Sequence, residues 1–183
     1  MTLPENLLLS GGASGADSIF DEYANNAGHV AYHYVVMSRK GLKGQIFIPS
    51  DELYEKAKFL FIKTNAALKR DISKLSNHSL KLLYRNMIIA GKTNTAMYAV
   101  TQLDDGKILG GTAWGVQAAV TLNRYSIYVY CQNQSKWFTW DKTKFNMTDS
   151  VPKPTGIYSG IGTRNINQTG INAIKELYNV DLL

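Results

Sequence analysis

Three short glycine-bearing turns, each set between a strand-like stretch and a helix-like one, leave this 183-residue chain few folds to choose from. The first is Ser10-Gly11-Gly12-Ala13-Ser14-Gly15-Ala16-Asp17, directly after the apolar run Leu7-Leu8-Leu9. The second, Gly110-Gly111-Thr112, opens the segment Ala113 to Asn123. The third, Gly160-Ile161-Gly162-Thr163-Arg164, follows Gly156-Ile157-Tyr158. In a parallel sheet such turns collect at the carboxyl edge of the strands, where ligands bind. Small residues there let backbone N–H groups approach an anion, and the helix N-terminus adds positive potential. Three such turns in one chain predict a phosphate-bearing ligand, a nucleotide by class.

The rest of the chain alternates in the same way. Leu7 to Leu9 reads as a buried strand, Ser14 to Ala27 as a helix ending at Gly28, and Val30 to Val36 as the next strand. Ser38 to Pro49, with glycines and lysines, reads as a loop able to fold over a ligand. Ser50 caps a helix through about Leu68, and another runs from about His78 to Ala90. Thr95 to Thr101 is a strand, Asp104-Asp105-Gly106 a tight turn, Ala113 to Leu122 a helix and Ser126 to Cys131 a strand. Lys136 to Asp141 is expected to be a short edge strand and Lys142 to Pro154 a linker loop. Thr155 to Ser159 and Asn167 to Tyr178 close the chain as strand and helix. The expected class is α/β, a three-layer sandwich with a mainly parallel sheet, in a single domain spanning the chain. The C-terminal strand-turn-helix unit lacks a following strand and Leu7 to Leu9 lacks a preceding helix. Joining the two would restore a β-α-β unit, so the two strands are expected to be parallel neighbours.

Composition removes several classes of function. No apolar run approaches the length of a membrane span, and the N-terminus Met1-Thr2-Leu3-Pro4-Glu5 lacks a signal-peptide pattern, so a cytoplasmic protein is expected. The single cysteine, Cys131, reads as a buried structural thiol. The three histidines have no spaced thiol or carboxylate partners, so no metal site and no cofactor is implied. A net charge of +6 favours an anionic partner only mildly. Its basic residues, including Arg39, Lys40, Lys43, Lys63, Lys69, Arg70 and Lys74, are scattered and read as a solvated face, against a nucleic-acid track.

Taken in order, Gly11-Gly12-Ala13-Ser14-Gly15-Ala16-Asp17, then Tyr84-Arg85-Asn86-Met87-Ile88-Ile89-Ala90-Gly91, then Gly110-Gly111-Thr112 resemble the SLOG superfamily. That group joins the Rossmann domain of the DNA-processing protein A family with the Lonely Guy enzymes. In the DNA-processing proteins a strand with a Gly-Ser-Arg turn comes first. Here the corresponding Gly162-Thr163-Arg164 stands near the C-terminus, so the chain resembles a circularly permuted member. It is similar in particular to SLOG-like proteins encoded by tailed bacteriophages. The resemblance covers nearly all of the chain except Arg39 to Leu75.

The Lonely Guy enzymes cleave a nucleotide N-glycosidic bond with a Pro-Gly-Gly-x-Gly-Thr-x-x-Glu motif. Aligning its glycine pair with Gly110-Gly111 puts Gln117 in the place of the catalytic glutamate, Leu109 in that of the proline, Ala113 in that of the third glycine and Trp114 in that of the threonine. A glutamine supplies neither a carboxylate base nor negative charge beside an oxocarbenium ion. The resemblance therefore implies the ligand site without an assigned catalytic residue.

Each candidate ligand residue also has a plain structural reading. Gly11, Gly12, Ala13 and Ser14 bind phosphate or let strand and helix pack closely. Asp17 hydrogen-bonds a ribose or stabilises its helix N-terminus. Arg85 and Asn86, inside an apolar helix, are ligand contacts or a buried pair. Gly110, Gly111 and Thr112 hold an anion, or Thr112 caps its helix. Trp114 stacks on a base or packs in the core. Gly160, Gly162, Thr163 and Arg164 form a phosphate contact or, at Arg164, a surface ion pair. In the run Trp137 to Trp140, Phe138 and Trp140 share one face and Trp137 takes the other, as core or oligomer contacts.

Turns kept and glutamate lost together suggest a binder, and the resemblance implies an ADP-ribose-type or cyclic nucleotide immune signal captured by a phage anti-defence sponge. The other functions are a nucleotide N-glycosidase or phosphoribohydrolase, with Asp17, Asp104 or Asp105 as its acid, and single-stranded DNA binding. A homo-oligomer is implied by the superfamily's habit of pairing through helices.

Overall fold

The computed structural model describes residues 4–38 and 40–178, so Arg39 of the basic stretch and the first three residues of the chain lie outside the described residues. The elements are β1 (Asn6–Ser10), α1 (Ala16–Asn26), β2 (Val30–Tyr34), β3 (Gln45–Phe47), α2 (Asp51–Leu68) and α3 (Asn77–Lys92), then β4 (Ala96–Thr101) and the hairpin β5 (Leu103–Asp104) and β6 (Lys107–Ile108). They continue with α4 (Thr112–Leu122), β7 (Ser126–Cys131), β8 (Lys136–Trp140), β9 (Phe145–Thr148), β10 (Gly156–Gly162) and α5 (Gln168–Tyr178).

The eight-stranded sheet has the order β3-β2-β1-β10-β4-β7-β8-β9, parallel from β3 to β7 and antiparallel beyond. The parallel strands are apolar on both faces because helices cover both, and the period of two divides their residues between two cores. Leu7, Leu9, Met97, Ala99 and Val129 face α2, α3 and α4, while Leu8, Tyr98, Val100 and Tyr158 face α1 and α5. This is the expected three-layer, Rossmann-like sandwich. Serine caps begin two of its helices: Ser50 Oγ accepts from Leu53 N–H at 3.3 Å and Ser76 Oγ from Ser79 N–H at 3.1 Å. No described helix is long and apolar enough to cross a membrane.

The strands nearest the two ends of the chain are parallel neighbours, as expected, with Leu7 opposite Ile157 and Leu8 opposite Tyr158. Two expectations need correction. The stretch Ser38 to Pro49 is not all loop, because β3 adds parallel to β2 with Phe47 packed at 5.0 Å from Tyr32 and 5.7 Å from Tyr34. The remainder folds back: Asp21 Oδ2 accepts from Lys43 N–H at 3.1 Å, Oδ1 lies 3.1 Å from His33 Nε2, and Leu42 lies against Gly12. Nor is β8 an edge strand. Asp141 Oδ1 accepts from Thr143 N–H and Lys144 N–H at 2.8 and 2.9 Å, and this side-chain turn sends β9 back along β8 to become the edge. In β8, Phe138 and Trp140 pack on one core and Trp137 on the other, as the alternation requires.

Candidate functional site

All three glycine turns reach the carboxyl edge of the parallel strands, at the ends of β1, β4 and β10. There the chain runs outward in both directions, through β2 and β3 on one side and β7 on the other, which is where open α/β sheets leave a crevice. A cleft of about 500 Å³ opens there, within the roughly 300–1,000 Å³ that small-molecule sites occupy. Of the expected residues, Ala13, Asp17, Arg85, Asn86, Gly110, Gly111, Thr112, Trp114, Gly162, Thr163 and Arg164 line it. Gly11 and Gly12 line a smaller adjoining cavity.

Three expected residues stand elsewhere. Ser14 is exposed and lines neither cavity. Gly160 lies under Phe20, where an added Cβ would be 2.5 Å from the ring, so its glycine serves helix–sheet packing. Gln117 points to the far side of α4, into a separate cavity beside Trp140 and Phe145. Residues three apart on a helix point only about 60° from each other, but five apart, as Thr112 and Gln117 are, they diverge by about 140°.

The first and third turns hydrogen-bond within the first turn and to each other. Gly12 N–H donates to Ser10 Oγ at 3.3 Å, Ala13 N–H to Asp17 Oδ2 at 3.2 Å, and Ala16 N–H to Thr163 O at 3.0 Å. Asp17 Oδ1 accepts from Gly162 N–H at 3.1 Å. The Asp17 carboxylate, which also lines the cleft, is therefore a clamp between two turns. Burial pushes its pKa above the usual carboxylate value, against the opposing pull of the Arg85 charge and the two N–H donors.

Two arginines and one helix start remain for a ligand. Arg85 is 9% exposed; Nη1 donates to Gly11 O at 3.2 Å and Nη2 to Asn86 Oδ1 at 3.0 Å. Its Nε is buried without a hydrogen-bond partner, and it makes no ion pair among the described residues. Burial lowers its pKa, with Asp17 opposing. The bare Cα of Gly11 receives this guanidinium: an added Cβ would lie 2.4 Å from Arg85 Cζ. Arg164 is exposed at the cleft and makes no ion pair among the described residues, so the alternative reading of it as a surface ion pair finds no partner among them. At the second turn Gly111 is the N-cap and Thr112 the first helical residue. Thr112 therefore does not cap α4, and no side chain caps its N-terminus.

Several residues of the site carry no signal a sequence reader would single out. The apolar wall is built from Leu75, Leu82, Leu83 and Ile161 with Trp114, which is buried and whose indole N–H donates to Asn65 Oδ1 at 3.1 Å. Arg70 reads as one more surface cation, yet its guanidinium lies 4.5 Å from the Trp114 ring centroid and donates to Gly110 O at 2.7 Å and Ile108 O at 3.0 Å. It holds the second turn in place. Only its position two residues past the end of α2 hints at this, because helix ends put long side chains against neighbouring loops. No family model, curated protein or solved structure matches the chain.

Proposed function

We propose that this protein binds and sequesters a nucleotide-derived small molecule, through its phosphate, in the cleft at the carboxyl edge of the sheet. The observation that carries this reading is Arg85, a buried guanidinium with an unpartnered Nε and no ion pair among the described residues. A buried charge is costly unless compensated, and an anionic ligand supplies the compensation. Arg164 and the uncapped start of α4 in the same cleft add to its affinity for anions. The apolar wall with Trp114 suits a base or ribose.

Sequestration is favoured over turnover because Asp17 is the only carboxylate lining the cleft among the described residues, and both its oxygens already accept main-chain N–H groups. Asp105 lines the separate cavity beside Gln117. Lonely Guy-type hydrolysis is the second reading, supported by the burial that raises Asp17's pKa within the cleft. Single-stranded DNA binding is disfavoured by basic residues dispersed along the sequence rather than grouped. The SLOG resemblance supplies the setting of the proposal: a circularly permuted phage protein, in the host cytoplasm and as a homo-oligomer, that captures an ADP-ribose-type or cyclic nucleotide immune signal.

Two outcomes test this reading. Arg164→Ala will cost about 1.5–3 kcal/mol of nucleotide affinity, the worth of a charge-assisted hydrogen bond, while the melting curve stays put because an exposed arginine contributes little to stability. Unchanged affinity by calorimetry removes Arg164 from the site. Bound nucleotide recovered after long incubation will be chemically intact by chromatography. Turnover that Asp17→Asn abolishes would replace the binder by the hydrolase.

A further inference from the structure

The strands beyond β7 carry the sheet past its helical layer. Helix α4 packs over β4, β7 and β10, with α2 and α3 beside it, while β8 and β9 continue two places further. On that face Trp140 of β8 and Phe145 of β9 stand with ring centroids 5.0 Å apart and planes tilted by 54°. Between these rings, the outer side of α4 and the β5–β6 hairpin lies a cavity of about 610 Å³. Small-molecule sites occupy roughly 300–1,000 Å³. It is separate from the cleft, and the two share no lining residue.

We infer that this cavity is a second ligand site, independent of the cleft, for a flat aromatic molecule carrying an anionic group. Its floor is apolar, from Val116 and Val120 of α4. Its wall is the Trp140–Phe145 pair, and rings gain more from an aromatic guest than from an aliphatic one. Gln117 reaches the same space half-buried, and its amide has no hydrogen-bond partner among the described residues. That amide has two donors and one acceptor to offer a polar substituent on the guest. The charge is one-sided. Arg70, Lys107 and Lys144 line the cavity against Asp105 alone, and none of the three cations is ion-paired among the described residues. Arg70 is also held still, by its bonds to Gly110 O and Ile108 O and its place over the Trp114 ring. An anion arriving there meets a guanidinium that has little rotamer freedom left to lose.

The test is fluorescence titration of the full chain with two dyes of similar shape. Anilinonaphthalene sulfonate carries the anion, and phenylnaphthylamine lacks it. The sulfonate will bind in this cavity about tenfold more tightly than its neutral counterpart, the worth of one charge-assisted hydrogen bond. Gln117→Trp puts an indole into the cavity and will remove one bound dye per chain, with a melting curve showing that the fold is intact. Lys144→Glu, on an exposed turn, will weaken the sulfonate about fivefold and leave the neutral dye unchanged. Equal affinity for the two dyes overturns the anionic ligand, and no saturable binding of either overturns the site. Sulfonate binding that falls in Arg164→Ala but not in folded Gln117→Trp puts the dye in the cleft and also overturns the second site. Should Gln117→Trp not fold, an unmoved titration in Lys144→Glu overturns it alone.

Discussion

Gly15→Ala will destabilise the fold by about 2–4 kcal/mol, a large part of the roughly 5–15 kcal/mol that holds a domain together. Gly15 sits at φ 89° and ψ −134°, a backbone region closed to side chains, as the residue that opens α1. A Cβ there would lie 2.4 Å from Thr163 O and 2.6 Å from Arg164 Cα, main-chain atoms that cannot rotate away. Relief would have to push the third turn off the first and lengthen the 3.0 Å bond from Ala16 N–H to Thr163 O. Gly28→Ala is the control. It also has a left-handed φ, 78°, but nothing lies within 4 Å of its Cβ position. The difference between the two urea-denaturation midpoints isolates the contact between turns from the cost of the backbone angle. Equal shifts would mean that the turns do not brace each other.

The largest effect on binding belongs to Arg85. On the proposed phosphate-binding reading, Arg85→Leu removes two or more charge-assisted contacts, each worth about 1.5–3 kcal/mol, and will weaken nucleotide binding by about 100-fold or more. Its effect on stability will be smaller. The guanidinium gives up bonds to Gly11 O and Asn86 Oδ1, but an incompletely compensated charge leaves the interior at the same time. Arg85→Lys separates charge from shape. A lysine keeps the cation but loses the planar fork that lies on the bare Cα of Gly11 and reaches both cavities, so it will recover only part of the affinity. Parental affinity in Arg85→Leu, measured by calorimetry on a folded sample, would exclude Arg85 from the site and remove the main support for a phosphate ligand.

Much of this was legible in the residues alone, because it depends on local periodicity. Fully buried apolar strands at Leu7-Leu8-Leu9 and Ala96 to Thr101, the serine cap at Ser50, and glycine at the strand ends each report on a few neighbouring residues. The parallel pairing of β1 with β10 was also readable, since an unpaired strand-turn-helix unit has to find a sheet neighbour. The strands β3 and β9 were not. Their stability comes from ladders to β2 and β8 and from packing such as Phe47 between Tyr32 and Tyr34, none of which is written in three or four residues.

The site divides in the same way. Which residues gather at the strand ends was determined by the sequence, because a strand followed by a glycine turn and a helix always delivers its turn to the carboxyl edge. How those residues spend their hydrogen bonds was decided only by tertiary structure. Three similar turns could each have held an anion, but Asp17 ties the first to the third by accepting one N–H from each, while Arg70 holds the second in place through its carbonyls. Arg85 reads like any arginine in an apolar helix until α3 lays it over Gly11 without an ion-pair partner among the described residues, and Gln117 reads like a site residue until α4 turns it away. The physical reason is that a hydrogen-bond donor has one use at a time. Local sequence states what a group can donate, and only the packed chain determines which acceptor is near enough to receive it.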